Sequence, residues 1–251
     1  MAEYDYINGK KRIEDILSSS NDTKQSDLLP VESAFSYDNG YYGYVTAIFV
    51  DICESTKIFN DSTMKKTTKA KIIRSFTSEV IEILRQNEKI RDIGIRGDCV
   101  FGIYTSPSYG DDYELFDKAV YVNTFGKMLN ALLSRKNFQT IKFGIGIATG
   151  YDLVVKAGRS GTGINDLIWI GEAVSYASKF SNFANRNGAG AIIVSNKFFD
   201  NLKRAIEKSN ENNNKLSWFT DFTSGEYSGK QCSVIKVRMN EWVEEGMKDE
   251  E

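Results

Sequence analysis

Histidine is absent from all 251 residues, so no mechanism here uses an imidazole base or ligand. Hydrolysis by Ser-His-Asp or Cys-His machinery is thereby excluded. Cysteine is scarce: Cys53, Cys99 and Cys232 are odd in number and lack Cys-x-x-Cys spacing, which indicates neither a zinc site nor a disulfide framework. The first two flank acidic turns and read as small packing residues rather than nucleophiles. Excess charge of either sign is missing too. With 32 Lys and Arg against 34 Asp and Glu the formal charge is -2, so a nucleic-acid backbone finds no polybasic partner. A charged mononucleotide stays admissible, since a pocket needs only local positive charge. No window approaches the roughly 20 apolar residues of a membrane span, and the chain is polar from Ala2 to Lys11 with no apolar signal region. These absences lead to the expectation of a soluble, cytoplasmic protein with no membrane insertion and no nucleic-acid binding.

What is present is enough apolar material, 41%, for one sizeable core. The reading is one central domain over 41–200, an N-terminal extension over 1–40, and a segment over 201–251 that completes the domain with a helix and a strand and ends in a tail. The extension is polar apart from the short amphipathic run Arg12 to Leu17 and is expected to attach loosely to the core or to a partner subunit. Tyr44 to Val50 is continuously apolar, β-branched or aromatic, as a strand buried on both faces requires. Apolar residues recur at helical spacing over Ile72, Ile73, Phe76, Val80, Ile83 and Leu84, and again over Val120, Phe125, Met128, Leu129, Leu132 and Leu133. Strands are expected at Ile141 to Ala148, Leu153 to Lys156 and Asp166 to Ile170. The loop Gly158 to Gly163 lacks the Gly-Lys-Ser/Thr ending of a phosphate-binding P-loop, so it is expected to be a hairpin turn. A helix from Glu172 to Asn185, a strand at Ala191 to Ser195, a helix from Lys197 to Lys208, a polar linker at Asn210 to Asn214 and a final strand around Cys232 to Arg238 complete an α+β pattern.

Two aspartates carry the chemistry. Asp51 closes the apolar run from Tyr44 and opens the turn Ile52 to Thr56; Asp98 interrupts the apolar stretch Ile95 to Tyr104 at Gly97-Asp98. Taken alone, each is an ordinary turn residue. Two carboxylates on neighbouring strand ends suit hard divalent cations, which prefer oxygen and are held by one or two carboxylates plus the phosphates of a bound nucleotide. Phosphoryl transfer is therefore the chemistry to consider first.

The run Phe49-Val50-Asp51-Ile52-Cys53-Glu54-Ser55-Thr56, the Gly97-Asp98 hairpin, and the run Gly171 to Lys179 resemble, in order and spacing, the three signatures of the class III nucleotidyl cyclase family. The match extends from about Tyr44 to Ser195. It implies a ferredoxin-like class III cyclase core, an antiparallel-rich sheet covered by helices, with the catalytic domain in the 41–200 segment. It also implies two divalent cations, Mn²⁺ or Mg²⁺, on Asp51, Asp98 and the backbone carbonyl of Ile52. Phe49 and the loop residues Cys53, Glu54, Ser55 and Thr56 would then meet the nucleoside triphosphate.

Departures from the family pattern narrow the reading. Ser175 stands at the family's transition-state Asn and Lys179 at its Arg; four apart on a helix, they share a face. Lysine is a point charge rather than a bidentate fork, yet it still neutralises phosphate. The positions that read purine bases fall on Gly94 and Ile168, neither of which can hydrogen-bond a base through its side chain. Strand alternation places Gly94, Arg96 and Asp98 on one face, which leaves Arg96 to read the base, touch phosphate, or serve as a hairpin arginine.

This combination looks like the bacterial anti-phage pyrimidine cyclases of the Pycsar systems. The resemblance implies conversion of UTP or CTP to cyclic UMP or cyclic CMP, acting on a separate effector protein, with UTP favoured on family frequency. It implies a homodimer with shared active sites, one subunit's Asp51 and Asp98 facing the other's Ser175 and Lys179. A purine (adenylate or guanylate) cyclase and a catalytically silent nucleotide-binding or dimerisation module stay open. A diguanylate-cyclase-like enzyme ranks lowest, because its Gly-Gly-Asp/Glu-Glu-Phe hairpin is absent at Arg96 to Val100.

Overall fold

A computed structural model describes residues 3–20, 22–26, 28–106, 108–209 and 213–248. The polar extension is more regular than its composition suggests: Asp5 accepts the N–H of Asn8 at 3.0 Å and caps helix α1 (Tyr6–Ser18). Strand β1 (Asp22–Gln25) then pairs in parallel with the start of the central strand β2 (Asn39–Ile52). The chain continues through α2 (Ser55–Asn60), α3 (Lys66–Leu84), β3 (Ile90–Arg96), β4 (Cys99–Thr105), α4 (Tyr109–Arg135), β5 (Phe143–Arg159) and β6 (Ile164–Gly171). It closes with α5 (Glu172–Phe183), β7 (Ile192–Ser195), α6 (Asn196–Lys208), β8 (Thr220–Ser224), β9 (Tyr227–Cys232) and α7 (Val237–Glu244).

Among the described residues nine strands form one sheet, in the spatial order β3-β4-β2-β5-β7-β9-β8, with β1 beside β2 and β6 beside β5. Only the β1–β2 and β5–β7 pairs are parallel, so the fold is the expected antiparallel-rich α+β core. Side chains alternate along β2. Ile48, Val50 and Ile52 enter a core shared with Ile72, Phe76 and Val80 of α3 and Phe125 and Leu129 of α4. Val45, Ala47 and Phe49 point the other way, against Ala173 and Ala177 of α5 and Phe101 of β4. Both faces of β2 are thus covered, which is why its sequence reads as an unbroken apolar run.

Three elements depart from the sequence reading. The strands expected at Ile141 to Ala148 and Leu153 to Lys156 are one continuous strand, β5; its centre looks like a break because it carries Thr149, Gly150 and Asp152. The Thr149 hydroxyl is buried and donates to the carbonyl of Val45 at 3.0 Å, so a polar residue sits inside the sheet without an unmet bond. The strand expected at Cys232 to Arg238 instead ends at Cys232, and Val237 onward is helical. Two bonds to α4 bend the chain there: Asn123 donates to the carbonyl of Val234, and the Lys236 N–H to the hydroxyl of Thr124, each at 2.8 Å. Helix α5 ends at Phe183 rather than Asn185. The Gly158 to Gly163 hairpin is present, with Arg159 paired to Ile164. Most of the Asn210 to Asn214 linker lies outside the described residues. No described helix is long and apolar enough to cross a membrane.

Candidate active site

Strand register places the acidic pair. Asp51 lies opposite Cys99 on β4 and Gly144 on β5, and the two-residue turn Gly97-Asp98 immediately precedes Cys99. Gly97 has φ +64°, the left-handed value that a tight hairpin demands at its first central position and glycine supplies without strain. Asp98 therefore sits beside Asp51 because β3 and β4 turn at that point. Burial raises the Asp51 pKa above the ordinary carboxylate value; the negative charge of Asp98 raises it further, and Arg186 opposes both.

Arg186 is one residue that the sequence reading missed. One end of its guanidinium, Nη2, donates to Oδ2 of Asp51 at 2.7 Å and to the carbonyl of Ile52 at 3.1 Å. The other, Nη1, donates to the carbonyls of Ser181 and Ala184 at 2.8 and 3.2 Å, at the C-terminal end of α5. Close packing of α5 brings it there. A Cβ on Gly146 would run into the backbone of Ala177 and Ser181, and one on Gly144 into the carbonyls of Ser181 and Ala184. Two glycines in β5 thus let helix backbone lie directly on strand backbone. Asp152, further along β5, fixes the other end of α5 by accepting the N–H groups of Ala173 and Val174, each at 3.0 Å.

The loop after Asp51 divides in two. Ser55 and Thr56 line a cleft of about 460 Å³ together with Gly97, Asp98, Asn60 and Lys69. The Lys69 ammonium donates to the carbonyl of Phe59 at 2.7 Å and supplies local positive charge that the sequence had not singled out. Cys53 is turned inward: its N–H is spent on the carbonyl of Lys142 at 2.8 Å, it is buried, and burial raises its thiol pKa. Cys99 and Cys232 are pushed up to about 12 by burial, so none of the three thiols is an activated nucleophile. Glu54 adopts the left-handed conformation, φ 53° and ψ 30°, and turns the chain into α2; its exposed carboxylate pairs with Lys57 at 2.5 Å.

Phe49 stacks on Phe101 with ring centroids 5.2 Å apart and 17° between planes, and the Arg96 guanidinium lies over the Phe101 ring at 5.7 Å. Gly94 sits beneath that ring, where any Cβ would strike it. The position of the family's purine-reading lysine is therefore covered by an aromatic ring. Ile168 lies on β6, paired with Val155. Ser175 and Lys179 are both exposed on α5, away from the face that buries Ala173, Ala177 and Phe180. Within one chain they point outward, whereas the contacts of Asp51 come from the loop beyond the helix.

Among the described residues no cluster of three or more acidic or sulfur ligands exists. Two carboxylates and a carbonyl nevertheless fit hard cations that draw their remaining ligands from phosphate and water. The bound guanidinium already demonstrates that Asp51 and the Ile52 carbonyl together hold positive charge.

No family model matches the chain. A uridylate cyclase from Treponema porcinum is 42% identical over 252 residues, 99% of this chain and 84% of that protein. One from Gulbenkiania mobilis is 30% identical over 253 residues, 96% of each. Among solved structures, the adenylyl cyclase CyaB from P. aeruginosa superposes with a TM-score of 0.59 at 17% identity, covering 76% of this chain and 93% of that one. A guanylyl cyclase superposes at 0.61 and 13%, covering 78% and 94%. The fold is that of the class III nucleotidyl cyclases. Within that class the chain belongs to the uridylate cyclase family and is a nucleotidyl cyclase.

Proposed function

We propose that the protein converts UTP, or CTP as the related pyrimidine substrate, to the 3′,5′-cyclic monophosphate and diphosphate. The observation that carries this reading is the Asp51 and Asp98 pair beside the cleft lined by Ser55, Thr56 and Lys69, in a chain whose relatives are named uridylate cyclases. The O3′–Pα bond forms as the Pα–O bond to diphosphate breaks, and the 3′-hydroxyl proton is released. The nucleophile belongs to the substrate, which suits a chain with no histidine base and no activated thiol.

Asp51, Asp98 and the Ile52 carbonyl would hold divalent cations, Mn²⁺ or Mg²⁺. When bound, such ions lower the pKa of the attacking hydroxyl and neutralise the leaving diphosphate. Lys69 and the hydroxyls of Ser55 and Thr56 orient the phosphates, and Lys179 and Ser175 reach the transferring phosphoryl group from a second subunit in a homodimer. A pyrimidine in place of a purine is supported by Gly94 and Ile168, which offer no side-chain hydrogen bond with which to read adenine or guanine. The cyclic nucleotide would act as a second messenger on a separate effector in cytoplasmic anti-phage defence. Turnover of Asp51→Asn and Asp98→Asn tests the site: each should fall by roughly a hundredfold or more, as loss of a group stabilising transition-state charge does. Near-normal turnover in either folded variant would remove that carboxylate from the chemistry.

A further inference from the structure

Arg186 makes its bonds to two groups that this reading assigns to a cation, Oδ2 of the Asp51 carboxylate at 2.7 Å and the Ile52 carbonyl at 3.1 Å. The pair is largely shielded: the Arg186 and Asp51 side chains are 22% and 16% exposed. A guanidinium stays charged under all working conditions and forms short, directional bonds to carboxylate. Without it, Asp51 would face the negative charge of Asp98 uncompensated.

We propose that Arg186 is an internal cation of the active site, which must leave Asp51 and Ile52 before a divalent ion takes their oxygens. The proposal rests on the metal-site reading given above. The backbone around Arg186 is pinned. Asn185, Asn187 and Gly188 hold left-handed conformations at φ 58°, 51° and 83°. The Asn185 N–H donates to the carbonyl of Gly190 at 2.9 Å, and its side chain to that of Phe143 at 2.8 Å. Displacement is therefore a side-chain rotation rather than melting of the loop. Room for it exists: a second cavity of about 670 Å³ adjoins the guanidinium, lined by Glu54, Lys57, Lys142 and Asn187, and the Glu54 carboxylate lies within electrostatic reach of Arg186. The loss of the Asp51 and Ile52 bonds opposes metal entry, so the resting site discriminates against weak occupancy.

Mn²⁺ binding to the full chain, followed by electron paramagnetic resonance of the free ion, separates the possibilities. Arg186→Gln should bind Mn²⁺ roughly tenfold more tightly than wild type, the size expected when one charge-assisted bond no longer competes. Lys142→Gln removes the same charge from the neighbourhood without touching Asp51 and should tighten binding by less than about threefold, as for an exposed charge. Equal or weaker binding by Arg186→Gln, with binding abolished in Asp51→Ala, overturns the displacement while leaving the metal site standing. Binding that Asp51→Ala leaves intact overturns the metal site itself, and the displacement with it. Arg186 also anchors the end of α5, so wild-type protein supplies an independent measurement. On saturation with Mg²⁺ the Arg186 guanidinium ¹⁵N and ¹H resonances should shift and exchange faster with water. Unchanged resonances at saturation would contradict the proposal.

Discussion

Asp152 on β5 accepts the N–H of Ala173 at 3.0 Å and thereby caps α5 from a different element of the fold. The same carboxylate takes the Val174 N–H at 3.0 Å, so two of the unpaired donors that open the helix are satisfied at one buried site. Ser175 and Lys179 follow within the next two turns, and their aim depends on this anchor. Asp152→Ala should cost about 1–3 kcal/mol of stability, the range for a lost cap that leaves buried donors unpaired. It should also lower turnover beyond what incomplete folding explains. Asp152→Asn, which keeps one acceptor, should recover part of both. Urea denaturation beside initial rates measures them; an Ala variant of wild-type stability would show the cap to be redundant.

Gly146→Ala places a methyl against the Ala177 carbonyl and the Ser181 nitrogen. Neither is a flexible side chain, so α5 must lift from the sheet, at a cost of roughly 1–3 kcal/mol or more. The Arg186 to Asp51 contact should loosen with it. Denaturation midpoints test the cost, and a variant as stable as wild type would mean that α5 tolerates a shift the packing does not suggest.

Stability should fall as pH rises from the acidic side toward neutrality and level off above it. Asp112 is fully buried and takes bonds from the Thr46 hydroxyl and the Asn201 amide, each at 2.7 Å. Burial nevertheless dominates and raises its pKa to about 7 from 3.8. The folded state therefore binds this proton more tightly than the unfolded state does. Its contribution is fully present below pH 3.8 and is lost progressively as pH rises through about 7, to a maximum on the order of 4 kcal/mol. Burial raises Asp51, Asp92 and Asp152 above the ordinary carboxylate value as well, so comparison with Asp112→Asn, rather than the wild-type profile alone, isolates this group. Urea denaturation at pH 5 and pH 8 should show a larger loss for wild type than for Asp112→Asn. Equal losses would place the titration elsewhere.

Much of this site was legible in the sequence because its central pair is local. Asp51 follows an apolar run that must be a strand, and Gly97-Asp98 is a two-residue turn whose backbone demands glycine. Register between adjacent strands then brings the two together. Arg186 was illegible for the opposite reason: it meets Asp51 across 135 positions of sequence, and nothing in Asn185-Arg186-Asn187-Gly188 distinguishes it from a surface turn. Asp152 hid inside a strand, where its polar character suggested a break rather than a cap. The segment Val234 to Val237 read as a strand because its β-branched residues favour one, whereas bonds from α4 turn the chain into a helix.

Complementation tests assembly. Asp51→Ala and Lys179→Ala should each be nearly inactive alone, since each removes half of both shared sites. In a mixed dimer one site carries both lesions and the other none. Random pairing makes about half the dimers mixed, so recovery should approach roughly a quarter of wild-type activity for an isologous dimer. No recovery after confirmed subunit exchange would place Lys179 in its own subunit's site or outside the chemistry.

Substrate identity is the most direct test. Purified protein incubated with each of the four ribonucleoside triphosphates and Mn²⁺, with products identified by mass spectrometry, should yield cyclic UMP from UTP, with CTP the next best substrate and little product from ATP or GTP. Cyclic AMP or cyclic GMP as the sole product would contradict the account, as would nucleotide binding without turnover of any triphosphate in either Mn²⁺ or Mg²⁺.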